Sequence, residues 1–147
     1  MKKVLLSTLI SAVLMLGLVA AAVAATPNPS PASPGYMVLP LQISKQWTTS
    51  TTAVVKFKAP FPCVLINVYA TARASGGTTP TLTVDLKEGA TSKLSTPINI
   101  TAGTVSEGTL TATTRIADES VLSVDLAIGG TTPTWDDITV LVVLKRL

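Results

Sequence analysis

From Tyr36 onward, apolar residues recur at every second position in short runs, and Pro, Gly and polar clusters separate the runs. Period two is the signature of a strand with one face turned to a core. Met37, Leu39, Leu41 and Ile43 share one face of the first run. Pro40 inside it predicts an edge strand, because proline has no N–H to give to a ladder. Ala53, Val55 and Phe57 then alternate with Val54, Lys56 and Lys58, and Pro60 and Pro62 break the chain. Cys63 to Ala74 reads as a long strand with Val64, Ile66, Val68, Ala70 and Ala72 inward. Its other face, with Leu65 and Tyr69, is also partly apolar, which predicts a central place in the sheet.

Gly76 to Pro80 predicts a turn, followed by Leu82, Val84 and Leu86 inward and Thr83, Asp85 and Lys87 outward. After a turn at 88–91, Leu94, Ile98 and Ile100 form one short apolar run. Leu110 and Ala112 form another, with Thr109, Thr111 and Thr113 outward. Leu122, Val124, Leu126 and Ile128 face inward in the next, and Ile138 to Leu144 is continuously apolar, as in a strand buried on both sides. No helical period appears after Ala25. About eight short strands with turn signals every eight to twelve residues or so predict an antiparallel, jelly-roll-like β-sandwich over residues 36–147.

One phrase occurs twice. Gly76-Gly77-Thr78-Thr79-Pro80-Thr81 returns as Gly129-Gly130-Thr131-Thr132-Pro133-Thr134, 53 residues later. Thr83-Val84-Asp85-Leu86 follows the first copy and Ser123-Val124-Asp125-Leu126 precedes the second. Gly-Gly between two apolar runs is a hairpin signal, so the two copies are expected at exposed tips.

Upstream, the pattern changes. Lys2 and Lys3 precede an apolar run from Val4 to Ala25 that ends in small residues, and Ala22-Val23-Ala24 fits a signal-cleavage site. Residues 1–25 are therefore expected to be a signal peptide. An uncleaved anchor is the rival reading, since a run this long also spans a bilayer and would contact the membrane through residues 4–25. Either way the domain is delivered across a membrane, and an exported location, secreted or at the cell surface, is expected. Residues 26–35 hold four prolines in TPNPSPASPG and predict an extended linker. It serves as a spacer, or as an arm that lets Tyr36, Met37, Val38, Leu39, Leu41 and Ile43 add a strand to a neighbour's sheet edge.

Composition removes several functions. The formal charge is +3, but Lys2 and Lys3 supply two of the eleven basic residues, leaving nine against eight acidic ones. Near-neutrality and only six aromatic residues give neither a phosphate-binding surface nor a base-stacking platform, so no nucleic-acid partner is expected. There is no histidine and a single cysteine, Cys63, which rules out an intrachain disulfide and leaves a cysteine nucleophile without its usual base. No Ser-x-x-Lys occurs. Asp118-Glu119 and Asp136-Asp137 lack the fixed spacing of a calcium loop, so neither a metal nor another cofactor is implied. The one binding constellation is Trp135 with Asp136 and Asp137, where a sugar ring would stack on the indole and the carboxylates would accept its hydroxyls. The plainer alternative packs Trp135 back against the sheet.

Leu82 to Gly103, LTVDLKEGATSKLSTPINITAG, resembles a strand–turn–strand segment of small β-sandwich proteins in tailed-phage particles. Ala117 to Thr131 is similar to a later segment of the same group, and the resemblance covers roughly Val64 to Leu144. In that group such domains decorate heads or form tail fibres and appendages. The resemblance implies a non-enzymatic structural subunit on a virion surface, acting on copies of itself or on other particle proteins. A secreted module that binds glycans or surfaces, or a filament subunit of a cell-surface matrix, is the alternative.

Overall fold

The computed structural model describes residues 35–147, so the expected signal or anchor and nearly all of the Pro-rich linker lie outside the described residues. Residues 35–147 form eight strands and no helix: β1 (Tyr36–Trp47), β2 (Thr51–Lys58), β3 (Cys63–Glu88), β4 (Thr91–Ser92), β5 (Ile98–Asn99), β6 (Ser106–Glu107), β7 (Arg115–Ile116) and β8 (Val121–Arg146). All belong to one antiparallel sheet ordered β1-β8-β3-β4, with β2 also on β8, and β5, β6 and β7 also on β3.

The strand count agrees with the sequence pattern, but the residues are distributed differently. β3 and β8 are 26 residues each and pair along their whole lengths, from Cys63↔Arg146 to Glu88↔Leu122. The two Gly-Gly phrases are not hairpin turns. They lie inside these strands and pair with each other, Gly76↔Thr134, Thr78↔Thr131 and Thr81↔Gly129. Gly77 and Gly130 have φ of +96° and +111°, and Thr79 and Thr132 both have φ of +47°. Both strands thus leave the β region at the same two positions of the phrase. The bulges cancel, so the register before them (Ala72↔Ile138) continues after them (Val84↔Leu126). A Cβ on Gly77 would lie 2.3 Å from the Thr132 carbonyl oxygen, and one on Gly130 would lie 2.6 Å from that of Thr79. The second glycine of each copy is what lets the two backbones meet, and the signal read as chain reversal is a close crossing.

A further bulge at Ile66 lies between Leu65↔Leu144 and Asn67↔Val143. It reverses the expected facing at the start of β3. Cys63 and Leu65 are buried, Ile66 is 38% exposed, and inward alternation resumes at Val68, Ala70 and Ala72. The Val68 N–H is held by the Asn67 Oδ1 at 2.8 Å, which fixes the bulge locally.

Of the short strands expected within residues 93–120, at Leu94–Ile100 and Leu110–Ala112, only Ile98–Asn99 forms, as β5. Leu94↔Leu110 is an isolated bridge. The segment is sewn onto the edge of β3 by single hydrogen bonds, including Ile100 N–H to the Leu82 carbonyl and Gly108 N–H to that of Val68. The core cluster contains Val68, Ala72, Val140 and Val142 from one side of the double bulge and Val84, Leu86, Val124 and Leu126 from the other. Ile138, Val140, Val142 and Leu144 are buried while Thr139, Leu141 and Val143 are half-buried, so β8 is apolar on both faces here but only one face belongs to the core.

Candidate functional site

Trp135 does not offer a stacking surface. It is 2% exposed, belongs to the core cluster, and lies opposite Trp47 on β1 and Ser75 on β3. The indole is large and mostly apolar, so burial wins over display, and the sugar-stacking expectation is corrected accordingly. Both indole N–H groups, of Trp47 and Trp135, are buried without an acceptor. The neighbouring carboxylates are occupied as well. Asp136 Oδ1 accepts from Gln46 Nε2 at 3.2 Å, and Asp137, with φ of +47°, pairs with Arg73 at 2.7 Å.

Tyr36 to Ile43 form the outer strand of the chain's own sheet, paired with β8 from Tyr36↔Lys145 to Ile43↔Ile138. Met37, Leu39 and Leu41 pack on the core, and Ile43 belongs to it. Pro40 lies at the edge, as its missing donor predicts. Beyond Ile43 the strand bulges at Lys45, φ +95°, and its ammonium sits 4.0 Å from the centroid of the Trp47 ring.

The sequence pattern did not bring together a cleft of about 440 Å³ on the outer face beyond the double bulge, lined by residues that include Thr51, Thr83, Asp85, Lys87, Pro97 and Asp125. Asp85 and Asp125 are direct cross-strand partners. Like charges so placed repel, and each is compensated. Asp85 Oδ1 accepts from Ser92 Oγ at 2.6 Å. Asp125 Oδ2 lies 2.7 Å from the Lys87 ammonium, while its Oδ1 accepts the Ala53 N–H at 2.7 Å, freed where β2 bulges. Burial works against the Asp125 charge, but the Lys87 and Ala53 hydrogen bonds outweigh it and hold its pKa below the ordinary carboxylate value. The recurring Val-Asp-Leu words were a visible signal, but the register that opposes the two aspartates was not.

A buried charge packs against the end of β3. Lys93 is 4% exposed, pairs with Glu88 at 2.5 Å, and donates to the Arg115 carbonyl at 3.2 Å. Burial again opposes the Glu88 charge, and hydrogen bonds from Lys93, Ser120 and the Ala117 N–H bring its pKa down. Burial, with a smaller push from Glu88, raises the Cys63 thiol. Among the described residues no group of three or more His, Cys, Asp or Glu side chains is placed to hold a metal ion.

The outer faces on the two sides of the double bulge differ in kind. Beyond it the face carries Asp85, Lys87 and Asp125. Before it, three successive cross-strand rows read Tyr36–Lys145–Val64–Arg115, Val38–Val143–Asn67, and Pro40–Leu141–Tyr69–Glu107. Tyr36 is 49% and Val38 54% exposed. No family model, curated protein or solved structure matches the chain.

Proposed function

We propose that this chain is a non-enzymatic structural subunit, displayed outside a membrane or on a virion surface, that acts by assembling with copies of itself. The apolar outer face of β1, β8 and β3 carries the reading. Tyr36, Val38, Pro40, Leu141 and Val143 crowd one solvent-facing surface of a small domain, and such contiguous apolar patches mark interaction sites. The resemblance of Leu82–Gly103 and Ala117–Thr131 to tailed-phage decoration and appendage proteins points the same way. In this reading the sheet folds over at the double bulge into a jelly-roll-like sandwich, which explains why residues from both sides share one core cluster. The apolar N-terminus delivers the domain, and the Pro-rich stretch spaces it from its support.

Sedimentation velocity of the full chain over a wide concentration range, with mass spectrometry of particles or surface layers from its source, tests this. Assembled species and presence in such material are expected. A chain that stays monomeric and is absent from them overturns the proposal. A secreted glycan-binding module is the second reading, favoured by the Asp85–Asp125 cleft rather than by Trp135. Asp85→Asn that leaves binding to a glycan array unchanged would remove it.

A further inference from the structure

We infer that the apolar outer face is a two-fold interface with a second copy of this chain, the copies stacked face to face about an axis through the Val38–Val143 row. The inference rests on the assembly reading above and gives it a specific surface.

The register supplies the geometry. Strand order across the face is β1, β8, β3, and then β6 and β7 on the far side of β3. A two-fold axis lying in the interface and perpendicular to the strands keeps each strand over its own copy and reverses the order of rows. With the axis on the Val38–Val143 row, these side chains meet their own counterparts. The first row then lies over the third, so Tyr36 lies over Pro40 and Val64 over Tyr69. Arg115, opposite Val64, lies over Glu107, opposite Tyr69. Arg115 and Glu107 are both exposed, and both neighbour the same edge of β3. Arg115 and Glu107 are thus complementary across the axis, twice over by symmetry, about an apolar central row, while Lys145 of the first row lies over Leu141 with no carboxylate opposite.

The side chains project to this face. Ile116 and Cys63, the neighbours of Arg115 and Val64, are buried on the other side. Glu107 accepts a hydrogen bond from Asn67 Nδ2, whose amide also donates to the Tyr69 hydroxyl at 2.9 Å. None of the four ion pairs among the described residues includes Arg115.

Size decides how strong the contact is. At ~4.8 Å between strands and ~3.3 Å per residue, the three rows cover about 400 Å² per copy, or ~800 Å² in a pair, below the ~1,200 Å² where stable interfaces begin. The isolated pair is therefore a weak, transient contact. It holds firmly where many copies share a support.

Sedimentation equilibrium of the full chain tests this with three variants, each checked for a native circular dichroism spectrum. Val38→Lys and Arg115→Glu are each expected to weaken self-association by about tenfold or more, through a charge in the apolar centre and through two repulsive contacts respectively. Arg115→Glu combined with Glu107→Arg restores the reciprocal pairs and is expected to return affinity to within about threefold of the parent. If the parent associates and these variants do so equally well, this face is not the interface, although the assembly reading stands. A parent that remains monomeric to about 1 mM overturns this interface, and the assembly reading falls with it if the chain is also absent from particles and surface layers.

Discussion

Two glycines with the same sequence neighbours as ordinary turn glycines have quite different jobs here. Gly77 and Gly130 combine φ near +100° with a partner carbonyl inside contact distance of any Cβ. Alanine at either position meets backbone, which cannot swing away as a side chain can. Gly77→Ala and Gly130→Ala are each expected to cost about 3 kcal/mol or more, through the left-handed conformation and the clash together. Gly89→Ala, with φ of +58° and nothing within 4 Å, is expected to cost only ~1 kcal/mol. Urea denaturation of the three variants compares them directly. Trp135 provides a second contrast. Trp135→Ala empties a core position and should cost about 3–5 kcal/mol. Trp135→Phe also removes a buried N–H that has no acceptor, and so should cost distinctly less. Glu88 and Asp125 set the acid limit. Both protonate at lower pH in the fold than in the unfolded chain, whose carboxylates titrate near ~4. Their contribution is complete above that value and is lost as pH falls through the folded pKa, because the unfolded chain takes up protons first. Stability measured against pH should be flat between about pH 5 and 8 and fall below ~4, and Asp125→Asn should make the acid fall shallower.

At the level of strands, much of the pattern was legible because period two reports facing directly. The inward sets Met37–Ile43, Leu82–Leu86 and Leu122–Leu126 all pack on or within the core, and Pro40 marks the edge. What failed was phase and continuity. Ile66 adds one residue, and the sequence around Cys63 to Val68 is apolar on both parities, so nothing in it says where inward alternation slips. The Gly-Gly phrases carry the same residues as hairpin turns. Only the partner strand, contributed from 53 residues away, turns each into a bulge. The candidate site fared likewise. The β1 residues were visible as a face, whereas the Asp85–Asp125 cleft and the Arg115–Glu107 spacing exist only once the register is known. The Ile66 bulge makes an unusual expectation. Deleting Ile66 would leave Leu65 inward, Asn67 outward and Val68 inward, an unbroken ladder. That variant should remain folded with a loss of about 1–2 kcal/mol. Deleting Thr71 would instead turn one arm of β3 inside out, and should abolish the cooperative unfolding transition. Circular dichroism during thermal unfolding distinguishes the two.

The whole domain hangs on one pairing. β3 and β8 meet along their full lengths although their partners lie between 34 residues apart (Glu88↔Leu122) and 83 apart (Cys63↔Arg146). Every other strand attaches to one of these two. Apart from the local β3–β4 hairpin (Glu88↔Thr91), no long strand can therefore reach its final environment until a long loop has closed. Loop closure must precede the burial that rewards it, so folding is expected on the slow millisecond-to-second scale of non-local β topologies. The same dependence orders local stability. The two-residue strands β4 to β7 and the rest of residues 93–120 hold mainly to β3, by short ladders and isolated bonds, so their opening is expected to leave the β3–β8 pairing intact. The reverse does not hold, since separating β3 from β8 removes both supports at once. Native-state hydrogen exchange should accordingly show two classes. Amides of Val68 to Ala72 and Val140 to Val142 should exchange only through global unfolding, with a denaturant dependence equal to that of the whole domain. Amides of residues 93–120 bonded to β3, such as Ile100 and Gly108, should exchange through smaller openings with weak denaturant dependence. Equal protection in both regions would mean that the 93–120 segment is integral to the cooperative unit, and that the isolated bonds understate how tightly Ile98, Ile100 and Ile116 tie it into the core.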